Sequence, residues 1–359
     1  MTNAAAKIAA PASRADAKPA SFGLRLGDGR RAEADLTDEG VVLRLDGREA
    51  ARLRRTGADA FSTDRRLSGD AFPPEALLPA LAAVFSHARR PPALSLLAPA
   101  SDAFAAGAVA RGVFESCEEQ SGGLTRFWVR RGFFWQDPRM WLKGSGRPAG
   151  AEAGGERLAH PPRPPKPKGE VYRRHMPRFG ADFSIRAFDA RRDLDVFNAW
   201  MNLDSVAHFW GQKGSVEEHR AYIEGVAADP HMISMLGCFD DEPFAYFEIY
   251  WAKEDRIAPF YDVGDHDRGV HLLVGDSKHQ GPGKVEAWFR ALLHFMFLDD
   301  LRTRRIVGDP RVDHVRWIEY MQKQGFLRAR EFDLPHKRSE LVIIERDTFF
   351  AEPWGGPLK

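Results

Sequence analysis

Residues 268–284 read Arg-Gly-Val-His-Leu-Leu-Val-Gly-Asp-Ser-Lys-His-Gln-Gly-Pro-Gly-Lys. The apolar run Val270–Val274 has strand length. On a strand His271 and Leu273 share one face, and Val270, Leu272 and Val274 share the other. The run ends at Gly275, and a loop with Gly281 and Gly283 leads into a helix predicted from about Lys284 to Leu298. Glycines at a strand-to-helix turn let backbone approach an anion closely, and the helix start adds unpaired N–H groups and partial positive charge. Lys278 and Lys284 add formal charge, and Gln280 lies between them. The loop lacks GxxxxGK[ST] and the full GxGxxG, so neither a nucleotide P-loop nor a dinucleotide fingerprint is supported.

His271, set in an apolar strand just before this loop, is a candidate general base; the alternative is a core histidine bonded to backbone. Outward from this segment, strands and helices alternate. Strands are expected at Phe183–Ala187, Met232–Phe239, Pro243–Trp251, Arg305–Gly308, Phe326–Asp333 and Glu340–Glu345. Helices are expected at Asp189–Met201, from Ser215 to about Ala227 with a Ser215/Glu218 capping box, and at Val312–Gln324. That order describes an α/β unit. Asp309 closes the Arg305–Gly308 strand, facing the usual ligand crevice of an α/β sheet. It either orients a base or substrate there or caps the following helix, with Pro310 at its first position. Glu248 and Tyr250 share a strand face, lining either a polar pocket or a solvent-facing edge. Trp210 either walls a pocket or packs in a core.

Ahead of this unit, residues 21–142 read as a smaller α/β unit. A strand at Val41–Leu45 enters the Asp46-Gly47 turn, a helix face runs from Pro74 to about His87, and Ala93–Ala98 is a buried strand. Phe127–Val129 and Phe133–Trp135 read as aromatic-rich strands. No catalytic constellation stands out in this unit, and no internal repeat is evident by eye. Residues 143–170 are Gly- and Pro-rich and read as an interdomain linker, and residues 1–20 as a disordered tail without the apolar core of a signal peptide. The second unit is then 171–359, which holds the candidate residues above.

The chain has 359 residues, with 52 Lys+Arg against 51 Asp+Glu. That balance argues against a nucleic-acid or acidic-membrane binder. The two cysteines, Cys117 and Cys238, belong to no CxxC or ligand cluster, so a zinc site and a disulfide framework are not expected. A reducing, cytoplasmic compartment follows as the expectation. No membrane span is legible, and the sequence sets no oligomeric state.

These segments together resemble the GNAT acyltransferase superfamily. Its loop pattern, Gln/Arg-x-x-Gly-x-Gly/Ala, is matched by Lys278–Gly283 with Lys in the first place. Within the superfamily, residues 161–350 are similar to the hydroxamate-siderophore acyltransferases, those of aerobactin type in particular. The resemblance is carried by Gly169–Arg174, Trp200–Asn202, Gly237–Asp241, Tyr246–Ala252, Glu254–Ile257, Asp267–Gly275 and Phe332–Ser339. It implies a GNAT fold, with a mixed twisted sheet flanked by helices and a degenerate, non-catalytic GNAT-like leading domain. It implies acyl transfer from acetyl-CoA to an N-hydroxylated amine, N6-hydroxylysine or an N-hydroxydiamine, with no metal. The alternatives are a succinyl-CoA-dependent enzyme and a non-catalytic acyl-CoA-binding protein. The implied active pair is His271 and Asp309. The implied cofactor-binding set is Leu273, Val274, Gly275, Lys278, Gln280, Gly281, Gly283 and Lys284. Trp210, Glu248 and Tyr250 join His271 and Asp309 as substrate-binding candidates. Where the superfamily places a tyrosine acid this chain has Met321, with Tyr320 one place away.

Overall fold

The computed structural model describes residues 21–68, 72–86, 91–143 and 160–351. The expected tail and most of the expected linker lie outside them. The first sheet holds β1 (Ser21–Arg25), β2 (Arg31–Thr37), β3 (Gly40–Leu45), β4 (Arg48–Arg55), β5 (Ala60–Ser62), β6 (Ala93–Pro99), β7 (Ser116–Gln120) and β8 (Leu124–Arg130). Its helices are α1 (Leu78–Phe85), α2 (Asp102–Ala110) and α3 (Arg131–Trp135). The second sheet holds β9 (Glu170–Met176), β10 (Ala181–Ala187), β11 (Met232–Phe239), β12 (Glu242–Trp251), β13 (Arg268–Val274), β14 (Arg305–Gly308), β15 (Leu327–Leu334) and β16 (Lys337–Glu345). Its helices are α4 (Ala190–Met201), α5 (Asp204–Trp210), α6 (Val216–Ala228), α7 (Pro282–Asp299), α8 (Val315–Lys323) and α9 (Arg346–Ala351).

The strand orders are β1-β2-β3-β4-β5-β6-β8-β7 and β9-β10-β11-β12-β13-β14-β16-β15, the same plan twice. Each sheet has one parallel pair among the described strands, in the same place: β5 with β6, and β13 with β14. α1 precedes β6 as α7 precedes β14, and α2 follows β6 as α8 follows β14. The repeat that the sequence conceals is therefore explicit in the backbone. The halves differ chiefly between their second and third strands. There the first half has only residues 38 and 39, and the second inserts α4, α5 and α6.

Local chemistry accounts for the elements near the site. Ser215 accepts from the Glu218 amide while the Glu218 carboxylate takes the Ser215 N–H, so α6 starts on the expected capping box. The β11–β12 hairpin turns through Asp240 and Asp241, both left-handed at φ 47° and 69°. Short Asp side chains tolerate that region.

Two expectations are corrected. Phe133–Trp135 is not a strand but part of α3. The Arg131 N–H takes the Pro92 carbonyl as the ladder ends, and a Cβ on Gly132 would lie 2.8 Å from the Phe350 carbonyl. The helix expected from Val312 begins at Val315, because the Pro310 carbonyl accepts the Glu340 N–H and Arg311 bridges to Ser339. Asp309 is consequently not a helix cap.

One continuous apolar core spans both halves. Trp135 stacks on Trp141 at 4.8 Å, and the Arg174 guanidinium lies 4.2 Å from the Trp135 ring. From α7 the buried His294 reaches both Tyr172 Oη at 3.0 Å and the Trp135 carbonyl at 2.5 Å. Burial and nearby Arg174 hold its pKa well below the usual value, so the ring is neutral. Nε2–H then donates to Trp135 and Nδ1 accepts from the tyrosine. The C-terminal part of the Pro-rich segment lies along the second half. Arg163 stacks on Trp251 at 4.3 Å and grips Glu254 at 2.5 and 2.8 Å, while Lys166 donates to the Val226 and Ala227 carbonyls at the end of α6.

Candidate active site

The parallel pairing of β13 with β14 consists of Arg268↔Ile306 and Gly269↔Val307 and then stops. β13 continues to Val274 with β12 on one side and no β14 residue on the other. The sheet is thus forked, His271 lies just beyond the last pair, and Asp309 stands at the end of the other tine. Gly269 is required here, because a Cβ would fall 2.1 Å from the Tyr250 ring. That ring in turn lies 4.8 Å from the imidazole.

His271 sits between two carboxylates. Its Nδ1 is 3.3 Å from Glu248 Oε2, its register partner on β12, and its Nε2 is 3.3 Å from Asp309 Oδ1. Glu248 is 2% exposed and Asp309 4%. Tyr222 on α6 and Tyr246 on β12 donate to Glu248 Oε1 at 2.5 and 3.0 Å. Lys337, at the start of β16, lies 2.9 Å from Asp309 Oδ2 and donates to the Asp309 carbonyl at 2.6 Å.

Burial pushes the imidazole pKa down, but Asp309 and Glu248 outweigh it and hold His271 up to about 9. Burial pushes Asp309 up, and the opposing His271 and Lys337 charges win, keeping it well below the usual carboxylate range. Burial, then Asp309 and Asp255, push the Tyr250 phenol far up, so it stays protonated. Three buried atoms around this point lack a well-directed hydrogen bond among the described residues: His271 Nε2, Asp309 Oδ2 and Tyr250 Oη. Buried polar atoms left unpaired are uncommon and mark sites where a ligand completes the network.

Beyond the fork, β13 leads into the glycine loop. Asp276 caps a short turn by accepting from the Lys278 N–H at 3.0 Å and pairs with Lys278 Nζ at 2.8 Å. His279 is the loop's anchor. It stacks on Phe239 at 4.8 Å, and its carbonyl accepts from Trp288 Nε1 at 3.2 Å. Burial, helped by Lys284 and Lys278, lowers its pKa to about 4, so it anchors as a neutral ring. Gln280 Nε2 donates to the Val274 carbonyl at 3.2 Å. The Lys284 and Val285 amides turn back to the Gly281 carbonyl, which leaves the Gly281 and Gly283 amides without an acceptor among the described residues. Nothing lies within 4 Å of a Cβ built on Gly281, whereas on Gly283 it would meet the Arg178 guanidinium at 3.0 Å. Two open amides, a helix start and a guanidinium make a cradle suited to a diphosphate.

Not every expected residue joins these two centres. The space at Gly275 is filled by the Trp200 indole, 2.1 Å from a built Cβ, so that glycine serves packing. Leu273 faces the small core of Trp200, Phe197 and Tyr246. Trp210 packs on the same core, 6.1 Å from the Tyr246 ring. Tyr320 stacks on Trp317 and Phe289 instead of entering the fork.

Tyr222, Tyr246, Lys337, Arg178 and His279 were not singled out from the sequence. Tyr246 was within reach of alternation, since it shares a face with Glu248. His279 lies inside the quoted glycine loop, whereas Tyr222, Lys337 and Arg178 arrive from separate elements. Away from this site, His160, His231 and Glu254 gather within 4.8 Å, with the Glu254 carboxylate already engaged by Arg163. Among the described residues no helix is long and apolar enough to cross a membrane.

Residues 189–334 match the family model described as the acetyltransferase (GNAT) domain. The chain is 41% identical over 247 residues to the N(6)-hydroxylysine O-acetyltransferase of Escherichia coli, covering 66% of this chain and 78% of that protein. It is 44% identical over 195 residues to an N(5)-hydroxyornithine:cis-anhydromevalonyl coenzyme A-N(5)-transacylase of Beauveria bassiana, covering 53% of this chain and 43% of the fungal one. A crystal structure of an uncharacterized Bacillus halodurans protein is 28% identical, with a TM-score of 0.47 over 49% of this chain and 90% of that one.

Proposed function

The chain belongs to the GNAT-superfamily acyltransferases of hydroxamate-siderophore synthesis, and from that premise we propose that it acylates the hydroxylamine nitrogen of an N-hydroxylated amine. The donor is acyl-CoA, acetyl-CoA in the first instance, and the acceptor N6-hydroxylysine or an N-hydroxydiamine. The product is a hydroxamate, a bidentate oxygen ligand for iron(III). The observation that carries this reading is the imidazole held between two buried carboxylates at an open fork in the sheet.

In the reaction the hydroxylamine nitrogen bonds to the thioester carbonyl carbon, and the carbon–sulfur bond breaks. The nitrogen's proton leaves to a base, and the sulfur departs as coenzyme A. A hydroxylamine is less basic than an alkylamine and arrives largely neutral, so the base acts during or after attack rather than before it. His271 takes that proton from its neutral form, and Glu248 and Asp309 hold the resulting imidazolium. Asp309 Oδ2 and Tyr250 Oη orient the acceptor's N–OH. The Gly281–Gly283 cradle with Arg178 and Lys284 holds the coenzyme A diphosphate, contributing proximity. Backbone N–H groups along the unpaired edge of β13 are placed to polarise the thioester carbonyl.

Residues 171–359 form the catalytic unit in this reading, residues 21–142 a non-catalytic GNAT-like partner, and 143–170 their connector. The enzyme works in the cytoplasm, where acyl-CoA is made. Coenzyme A release by the purified protein tests the proposal, with acetyl-CoA and succinyl-CoA crossed against N6-hydroxylysine, lysine, N-hydroxycadaverine and cadaverine. Rapid release confined to the hydroxylated acceptors is expected. Equal release with lysine and cadaverine, or none with any pair, overturns it.

A further inference from the structure

The two ends of the site carry separate sets of cations. Lys278, Lys284 and Arg178 surround the glycine loop. About 10 Å back along β13, at three residues' rise from Val274 to His271, a second set converges on Asp309. It consists of Arg256 from the β12–β13 loop and Lys337 from the start of β16, with His336 beside them, whose pKa burial and the Arg256 and Lys337 charges lower. The charge of Arg256 reaches Tyr222, Tyr250, Asp255 and His336, residues around the imidazole rather than around the loop.

These cations are not equally occupied. Lys337 is taken up by the Asp309 carboxylate and carbonyl. Arg256 makes one long approach, 4.0 Å to Asp309 Oδ2, with its side chain 46% exposed. It has no hydrogen bond among the described residues. Its backbone, however, is fixed. Asp255 accepts the Ile257 N–H at 3.0 Å, and Ile257 is fully buried in a core with Tyr250, Phe332 and Leu334. The guanidinium is therefore carried over the Asp309 end of the fork by a pinned loop, with its planar fork of donors free. That geometry matches a carboxylate.

We propose that Arg256 is a carboxylate subsite at the acceptor end of the site. The ligand group is either the α-carboxylate of an N-hydroxylated amino acid or the terminal carboxylate of a dicarboxylic acyl group such as succinyl. This rests on the acyltransfer reading above and deepens it. A solvated arginine placed there by chance would not discriminate between substrates.

The test is kcat/KM for acetyl-CoA and succinyl-CoA, each with N6-hydroxylysine and with N-hydroxycadaverine, which differ by one carboxylate. Wild type, R256A and R256K are compared. R256A is expected to lower the preference for the carboxylate-bearing partner by about 10- to 100-fold, the range of a charge-assisted hydrogen bond. The loss falls chiefly in KM, and R256K restores part of it. A loss that follows N6-hydroxylysine with either donor assigns the subsite to the acceptor, and one that follows succinyl-CoA assigns it to the acyl group. Both support the proposal. Equal losses across all four pairs, or no loss, overturn the subsite while wild-type turnover leaves the acyltransfer reading standing. No turnover of any pair by wild type overturns that reading and the subsite with it.

Discussion

Replacing Asp309 with Asn keeps the shape and removes one of the two charges that bracket His271. The imidazole stands at about 9 against an ordinary 6.5, despite burial acting in the opposite direction. The two carboxylates therefore raise it by more than that difference, and Asp309 contributes more than Glu248. Its removal should lower the His271 pKa by about 1–2 units. The sign follows from the charge: a carboxylate stabilises imidazolium, so losing it frees the neutral base at lower pH. In the wild type His271 is mostly protonated at pH 7, and the neutral fraction grows tenfold per pH unit until the pKa is reached. The rising limb of kcat/KM against pH, followed by coenzyme A release, should have its midpoint near 9 in wild type. In D309N it should lie at roughly 7–8. Loss of acceptor orientation lowers the whole mutant curve, but it does not move the midpoint. The wild-type to mutant ratio should therefore be larger at pH 9 than at pH 7. A wild-type midpoint near the ordinary histidine value, or a D309N midpoint unmoved from wild type, would refute the reasoning.

Three further predictions concern the supports of this site. Glu248→Gln should shift the same limb downward by less than D309N does, with the KM for acyl-CoA unchanged, as initial rates at varied donor will show. Arg178→Ala should raise the KM for acyl-CoA about 3- to 10-fold with kcat held, since one charge-assisted contact near the diphosphate is lost. The salt dependence of that KM should become shallower, because the lost contact is an exposed charge. Gly269→Ala puts a methyl into the Tyr250 ring at 2.1 Å and should destabilise the protein by about 1–3 kcal/mol in urea unfolding. It should also lower kcat, because Tyr250 packs on the imidazole.

The parts legible in the sequence are those fixed by neighbours along the chain. Alternation placed His271 opposite the face of Val270, Leu272 and Val274, and those three pack against the main core as that reading requires. The capping box fixes the start of α6, and the order of strand, glycine loop and helix is that of β13, the loop and α7. What stayed hidden depends on distant pairing. The aromatic run 133–135 has β propensity, yet it folds as α3, which sets the Trp135 ring against His294 and under the Arg174 guanidinium of the second half. Asp309 before Pro310 reads as a helix cap, but the cross-strand bonds of Pro310 and Arg311 to β16 keep that segment extended. Glu248 alone shows no partner in the sequence. Its role appears only when α6 brings Tyr222 to it and the β12–β13 register sets it beside His271.

The same register logic separates the two halves of the repeated plan at the proposed site. In the first sheet β5 stays joined to β6 through Ala60↔Ser95, Phe61↔Leu96 and Ser62↔Leu97. The contact then continues, as the Thr63 N–H takes the Leu97 carbonyl, the Leu67 N–H takes Pro99, and Leu67 bridges to Ala100. The edge that would face a thioester is filled along its length. In the second sheet the corresponding seam opens after Gly269↔Val307. A ring is needed to fill the space at the opening, and Tyr250 supplies it because residue 269 has no side chain. Opening a sheet leaves backbone N–H groups unpaired, which is costly unless a ligand takes them up. The first half avoids that cost by staying closed. The second places its buried charges, the Glu248–His271–Asp309 row, where the seam parts. The two sheets thus share one frame and differ at the fork, where the buried charges of the second meet.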